Sequence, residues 1–150
     1  MVLAGFLAGC LGGCAHPAPV KTTSAPAAAK ADANLYSRLG GKPAIEAVIE
    51  DFLHNVALDS RINARFAMTD IGDLQHKLVD QVCEATGGPC HYTGRSMAAS
   101  HKHMGVTQAE FTALVEDLVK TLDTLKVLAR EKNELLGALE SMQPDIVASP

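Results

Sequence analysis

Residues 87–111 read GGPCHYTGRSMAASHKHMGVTQAEF, and this stretch decides how the chain folds. The Gly-Gly-Pro at 87–89 must end the helix before it, because paired glycines adopt left-handed conformations at little cost and proline cannot continue a helix. Gly94 prolongs the break, and Gly105 ends whatever follows it. The sequence therefore predicts at most a short helix over Met97–Met104, held between two loops.

The start of the next helix is equally well marked. Thr107 is followed three residues later by Glu110, the spacing of a capping box, in which each side chain binds the other residue's backbone N–H. The short segment before it carries His101. A short, loosely tethered helix can place one imidazole over a cofactor, whereas a long helix packed on both sides has less freedom to do so. His101 is therefore a candidate iron ligand.

Apolar residues recur at helical spacing through the rest of the chain. One stripe follows Pro43, a second follows Thr107, and a third lies in a last helix with Pro144 near its end. Their members are Ala44, Ile45, Val48, Ile49, Phe52 and Leu53; then Phe111, Leu114, Val115, Leu118, Val119, Leu122 and Leu125; then Leu128, Leu135, Leu136 and Leu139. No stretch alternates apolar and polar residues for the length of a strand. The predicted fold class is all-α.

Composition limits both the size of the core and the class of partner. With 47% apolar residues, the part of the chain after the leader can bury one core and no more. Beyond residue 30 the chain holds eleven Lys and Arg against seventeen Asp and Glu, a net charge of −6. A nucleic-acid-binding surface would be basic and clustered, so no nucleic acid is expected as a partner.

The N-terminal part differs in composition from the rest. Residues 1–14 predict a lipoprotein-type signal and anchor, because Leu7-Ala8-Gly9-Cys10 matches the bacterial lipobox, in which Cys10 is lipidated after cleavage. Cys14 is a poorer second candidate. Residues 15–33 are rich in Ala and Pro and predict a flexible tether, followed by a single domain at 34–150. We expect export to the periplasmic side of a bacterial membrane; the alternative is a disordered, mis-started tail on a cytoplasmic protein.

Five segments together resemble one family, the group I truncated haemoglobins. The motifs LYSRLGG, PAIEAVIEDF, INARFAMTD and GGPCHYTGRSM, and the final helices to Val147, occur in the family's order and at its spacings. The resemblance implies a two-over-two helical sandwich that binds haem b (iron protoporphyrin IX). It also implies reversible binding of O2, NO or CO at an iron held by a proximal histidine. The family's generic role is oxygen binding or carriage.

The resemblance assigns roles to individual residues. His101 matches the proximal iron ligand, and its rival His103 does not fit the family's spacing. Phe66 matches a phenylalanine that packs flat on the porphyrin. Further wall positions of the haem pocket match Phe52, Met97, Val106, Phe111 and Leu114. An ordinary place in the core is the alternative for each of these apolar residues.

The distal side departs from the best-known pattern of the family. Many members place a tyrosine and glutamines there as hydrogen-bond donors to oxygen, whereas this chain has Leu53, Leu74 and Leu78. Lys77 occupies the position where some relatives carry a sixth iron ligand, and an amine can bind iron only when it is neutral. The alternative interpretation is a solvated lysine, or one that reaches a haem propionate.

Two further possibilities for chemistry stay open in the sequence. Cys83 and Cys90 could be bridged in an oxidising compartment, although their spacing does not establish the geometry. An alternative function from another class is a periplasmic copper-binding helical module with soft ligands, which would use His91, His101, His103 and Met104. Enzymatic turnover of NO or peroxide would need a separate reductase, since the sequence shows no flavin or nicotinamide motif.

Overall fold

The computed structural model describes residues 33–148, and every regular element within that range is helical. The α-helices are α1 (Leu35–Leu39), α2 (Lys42–Leu58), α3 (Ile71–Ala85), α4 (Met97–His101), α5 (Gln108–Thr124), α6 (Ala129–Ser141) and α7 (Gln143–Ile146), and a 3-10 helix, η1 (Asn63–Phe66), lies between α2 and α3. The predicted all-α class is confirmed. The predicted anchor at 1–14, and all of the predicted tether at 15–33 except Ala33, lie outside the described residues.

At the starts of α1, α3, α4 and α5, a side chain accepts a hydrogen bond from a free backbone N–H group. Asp70 Oδ1 accepts a hydrogen bond from Asp73 N at 3.0 Å and begins α3. Thr107 Oγ1 accepts from Glu110 N at 3.2 Å, while Glu110 Oε2 accepts from Thr107 N at 2.8 Å. The predicted capping box of α5 is therefore confirmed. Pro43 lies in the first turn of α2, where its missing N–H costs nothing.

Two pairs of helices form the two-over-two sandwich. α2 packs against α3 and against α5, and α5 in turn contacts α6. The apolar stripe of α2 faces the centre of the molecule, and the buried core consists of Ile45, Val48, Ile49, Phe52, Leu53, Val56, Ile62, Val79, Cys83, Ala113, Leu118, Leu122 and Leu135. The two outer short helices are attached at the periphery, α1 on α6 and α7 on α4.

Polar contacts fix the relative positions of these helices. Asn55 Nδ2 on α2 donates to Thr121 Oγ1 on α5 at 2.9 Å, and both side chains are buried. Arg38 on α1 donates through Nε to Glu131 Oε1 on α6 at 2.9 Å and also binds Glu134. The side chains of Arg38 and Glu131 are less than a tenth exposed, so this ion pair fastens α1 to the bundle from within.

The helix ends differ from the sequence prediction in two places. α4 ends at His101 instead of reaching Met104, because Met104 N turns back to His101 O at 3.0 Å and His103 takes a left-handed φ of 67°. The last helical segment is divided: α6 ends at Ser141, and Pro144 lies in the first turn of α7.

The second apolar stripe also ends earlier, and the third begins later, than the sequence predicts. Leu125 and Leu128 are 41% and 73% exposed, because they flank the turn at Lys126, whose left-handed φ of 56° redirects the chain between α5 and α6. None of the helices between residues 33 and 148 is both long and apolar enough to cross a bilayer.

Candidate functional site

The loop from α3 to α4 is fixed at its start by a disulfide. Cys83 in the last turn of α3 is bonded to Cys90, with the two Cα atoms 5.7 Å apart. Gly88 N donates to Cys83 O at 2.7 Å, and a side chain at Gly88 would collide with the ring of Tyr36 and with Cys83. The bridge that the sequence leaves open is thus present, and Gly88 is the residue that allows the tight turn beneath it.

The remainder of this loop is organised by Glu84 and Tyr92. The Glu84 carboxylate accepts from Tyr92 N at 3.2 Å and lies 3.0 Å from His91 Nδ1. Tyr92 Oη donates to Arg95 O at 2.8 Å, directly before Ser96, whose Oγ caps α4 by accepting from Ala99 N at 3.2 Å. These contacts place the start of α4 at a defined position and so define where His101 lies.

One ring nitrogen of His101 is engaged by the backbone of its own helix. Its Nδ1 lies 2.9 Å from the carbonyl oxygen of Met97, one turn earlier on α4, and the side chain is half-buried. A carbonyl oxygen only accepts, so Nδ1 carries the proton and Nε2 keeps its lone pair. A second hydrogen bond of this kind fixes the tautomer and the ring plane of metal-binding histidines.

His101 lies at the wall of a mainly apolar cavity. The cavity is lined by Ile62, Arg65, Phe66, His101, Met104, Val106, Glu110, Phe111, Leu114 and Ile146. Its volume is about 90 Å³. Ligand pockets usually measure roughly 300–1,000 Å³, so the cavity must widen to admit a porphyrin. The chemistry of the donor fits haem, because a single imidazole nitrogen faces apolar walls.

The predicted haem-pocket residues divide into two groups. Phe66, Val106, Phe111 and Leu114 line the cavity together with His101. The others pack at or against the core: Phe52 and Leu53 are buried on α2, and Leu74 and Leu78 on α3 are half-buried against them. Met97 is half-buried, and its Sδ accepts from Gln81 Nε2 at 3.5 Å.

A charged pair at the cavity is absent from the sequence-based predictions. Arg65 donates to both carboxylate oxygens of Glu110, from Nε at 2.8 Å and from Nη2 at 2.9 Å. It also donates to the carbonyl oxygens of Met104 at 2.6 Å and Gly105 at 3.3 Å. The ion pair between Arg65 and Glu110 lowers the pKa of the Glu110 carboxyl to about 2 and raises the pKa of Arg65. Sequence offers no signal for a pairing across 45 residues.

Lys77 lies on α3 beside the loop that precedes α4. Its Nζ donates to Thr93 Oγ1 at 3.3 Å. Thr93 belongs to the segment between the disulfide and Ser96, so the Lys77 amine connects α3 to that segment.

The copper-binding alternative finds no support. Between residues 33 and 148, no three His, Cys, Asp or Glu side chains come together as a metal site. His91 is instead paired with Glu84, and His103 is exposed beyond the end of α4. The four proposed soft ligands therefore do not form one centre.

Comparison with known sequences agrees with this geometry. The family model described as bacterial-like globin matches residues 34–148. A group 1 truncated haemoglobin of Mycolicibacterium paratuberculosis is 33% identical over 114 residues, which cover 76% of this chain and 84% of that protein. A group 1 truncated haemoglobin of Tetrahymena pyriformis is 32% identical over 113 residues, covering 75% of this chain and 93% of its own length.

Solved structures give the same result. The crystal structure of the Tetrahymena pyriformis truncated haemoglobin in its Fe(III) form has a TM-score of 0.74 and 31% identity, and covers 78% of this chain and 100% of that one. The 2/2 haemoglobin of Synechococcus, described in the cyanomet state with covalently attached haem, has a TM-score of 0.72 and 34% identity. The match covers 77% of this chain and 98% of that one.

Proposed function

The chain belongs to the bacterial-like globin family and is a haem-binding truncated haemoglobin, and on this basis we propose that it reversibly binds oxygen or another diatomic gas at iron held by His101. The observation that carries the assignment of His101 is its hydrogen bond to Met97 O, which leaves Nε2 free beside the apolar cavity. Haem b supplies an iron with one coordination position open to a gas. The protein's part is to hold that iron and exclude water.

The side chains predicted for the distal side support weak, non-polar retention of the ligand. Leu53, Leu74 and Leu78 carry no hydrogen-bond donor, and all three pack in or against the core. An apolar wall excludes water and so limits proton-assisted loss of an electron from iron. We therefore propose oxygen binding or carriage as the role. Turnover of NO or peroxide would draw on a separate reductase.

Histidine variants test the assignment of the iron ligand. Purified protein reconstituted with haem should show a sharp Soret band, and the band should shift when CO is added to the reduced protein. His101→Gly should lose stable haem, and free imidazole should restore the band because it replaces the missing ligand. His103→Gly is the matched control and should retain haem, since His103 is exposed beyond the helix end. Equal haem content in both variants would contradict the assignment.

We also propose that Cys10 carries a lipid that anchors the globin on the periplasmic side of a bacterial membrane. The disulfide between Cys83 and Cys90 supports export, because structural disulfides persist in oxidising compartments. Labelling with a fatty-acid analogue in a bacterial host should tag the wild type and Cys14→Ser but not Cys10→Ser. A tag lost only in Cys14→Ser would assign the lipid to the second site, and an unlabelled wild type would overturn the proposal.

A further inference from the structure

The segment that carries His101 has few attachments to the rest of the protein. Among the described residues, Arg95, directly before the segment, donates to Ala99 O, and hydrogen bonds from more distant residues hold Ser96–Val106 at three further points. Gln81 contacts Met97 Sδ, Ala148 N donates to Val106 O at 2.8 Å, and Arg65 donates to the carbonyl oxygens of Met104 and Gly105. Arg65 is the only charged partner among those that are distant in sequence, since Arg95 immediately precedes the segment. Charge-assisted hydrogen bonds are roughly twice as strong as neutral ones.

The Arg65 guanidinium is itself fixed by Glu110. The two groups form a bidentate pair, and Glu110 also caps α5 through Thr107. The guanidinium is planar and rigid, so a fork held by Glu110 presents its remaining N–H groups in a set direction. We call this unit the Arg65 clasp: Arg65, Glu110 and the carbonyl oxygens of Met104 and Gly105.

The Arg65 clasp joins two segments that line the cavity. Phe66, the next residue on η1, forms one wall, and Met104, three residues after His101, forms another. The clasp therefore fixes the separation between the aromatic wall and the helix that carries the imidazole. No other hydrogen bond among the described residues connects η1 with the turn after α4.

We propose that Arg65 is a positioning residue, which through Glu110 and the turn after α4 sets how firmly His101 holds the haem iron. This inference rests on the proposed function, because it requires His101 to be the ligand. Without the clasp, α4 and its turn would move more freely against η1, and the bond between imidazole and iron would break more often. Haem would then leave faster although the helices of the bundle remain folded.

The experiment compares three variants of the full-length, haem-loaded protein. In Arg65→Gln, haem transfer to an excess of an apoglobin acceptor should be about tenfold faster, which corresponds to about 1.4 kcal/mol. Amide hydrogen exchange over Ser96–Gly105 should rise, and the iron–histidine stretching frequency of the reduced protein should fall. Arg61→Gln is the matched control, since Arg61 binds Glu116 on α5 at 2.6 Å but does not contact the turn after α4.

A charge swap separates positioning from simple ion pairing. The double variant Arg65→Glu with Glu110→Arg keeps an ion pair but places a carboxylate against two carbonyl oxygens, so it should not restore the wild-type rate. Full restoration by the swap, or equal rates in Arg65→Gln and Arg61→Gln, would overturn the proposal. A wild type that lacks a histidine-bound iron would instead contradict the proposed function, which the His101→Gly experiment tests separately.

Discussion

At the scale of single residues, the predicted role of Lys77 as a sixth iron ligand can be tested by substitution. The Lys77 amine donates to Thr93 Oγ1, so it is engaged with the loop that leads to α4. We therefore expect Lys77→Ala to have the same ferric absorption spectrum as the wild type from about pH 6 to about pH 10, a range that ends just below the value of about 10.4 for a free lysine amine. Absorption spectra across this range are the measurement.

The opposite outcome has a specific meaning. A wild type that is low-spin in alkali and becomes high-spin on acidification, while Lys77→Ala does not, would establish Lys77 as a sixth ligand, because protons and iron compete for one lone pair. Hydroxide binding to an open iron would give an alkaline transition in both proteins. Thr93→Val is the companion variant, since it removes the partner of the amine and leaves Lys77 intact.

At the scale of elements, the disulfide at the end of α3 should contribute measurably to stability. Its two cysteines are separated by seven positions, and closing so short a loop contributes about 2–3 kcal/mol on the chain-entropy model. The double variant Cys83→Ala with Cys90→Ala should lose about this much free energy of unfolding in denaturant titrations.

Reduction provides an independent control for that prediction. A dithiol should lower the stability of the wild type toward that of the double variant and should leave the double variant unchanged. If reduced wild-type protein, shown by thiol titration to be open, keeps its full stability, the fold of the loop does not depend on the bridge.

The elements that sequence predicts well are those determined by neighbours in the chain. The capping box of α5 needs only Thr107 and Glu110, and the start of α2 needs only Pro43. The end of α4 depends instead on His103 adopting a left-handed conformation. Sequence does not predict this, because residues other than glycine seldom adopt a positive φ.

The same distinction applies to the candidate site. Resemblance to a family locates Phe66, His101 and Phe111 at the cavity. The pairing of Arg65 with Glu110 escapes prediction because the two residues are distant in sequence and meet only when the fold brings η1 next to the start of α5. Ile146 likewise reaches the cavity only because α6 and α7 are separate helices.

At the scale of the whole molecule, acid should destabilise the fold through carboxylates paired with arginine. The pKa of Glu110 is lowered to about 2 by Arg65, and the pKa values of Glu134 and Asp59 are lowered by Arg38 and Arg61. A carboxyl with a lower pKa in the folded chain binds fewer protons when folded. Its stabilising contribution is therefore complete above its ordinary value, about 4.5 for Glu110, and is lost as the pH falls toward about 2.

The buried Asp117 changes the stability in the opposite direction as the pH falls. Desolvation raises the pKa of Asp117, so its ionised form destabilises the fold and protonation at lower pH relieves that cost. The three carboxyls with lowered pKa values act in the opposite direction and outnumber it. We expect the melting temperature to decrease between about pH 4.5 and about pH 2, and to decrease less steeply in Glu110→Gln. Melting curves from the helical circular dichroism signal measure both. An equal slope in wild type and variant would show that Glu110 does not contribute.

The C-terminal residues support the segment after α4. Ala148 N donates to Val106 O at 2.8 Å, and α7 packs on α4 with Ile146 at the cavity wall. For protein production, a reporter or purification tag joined tightly after Ala148 would pull on the backbone beside the histidine. Such a fusion should have a long flexible linker or a cleavable junction. Otherwise the tag could displace the segment after α4, and the measured gas affinity would differ from that of the globin without a tag.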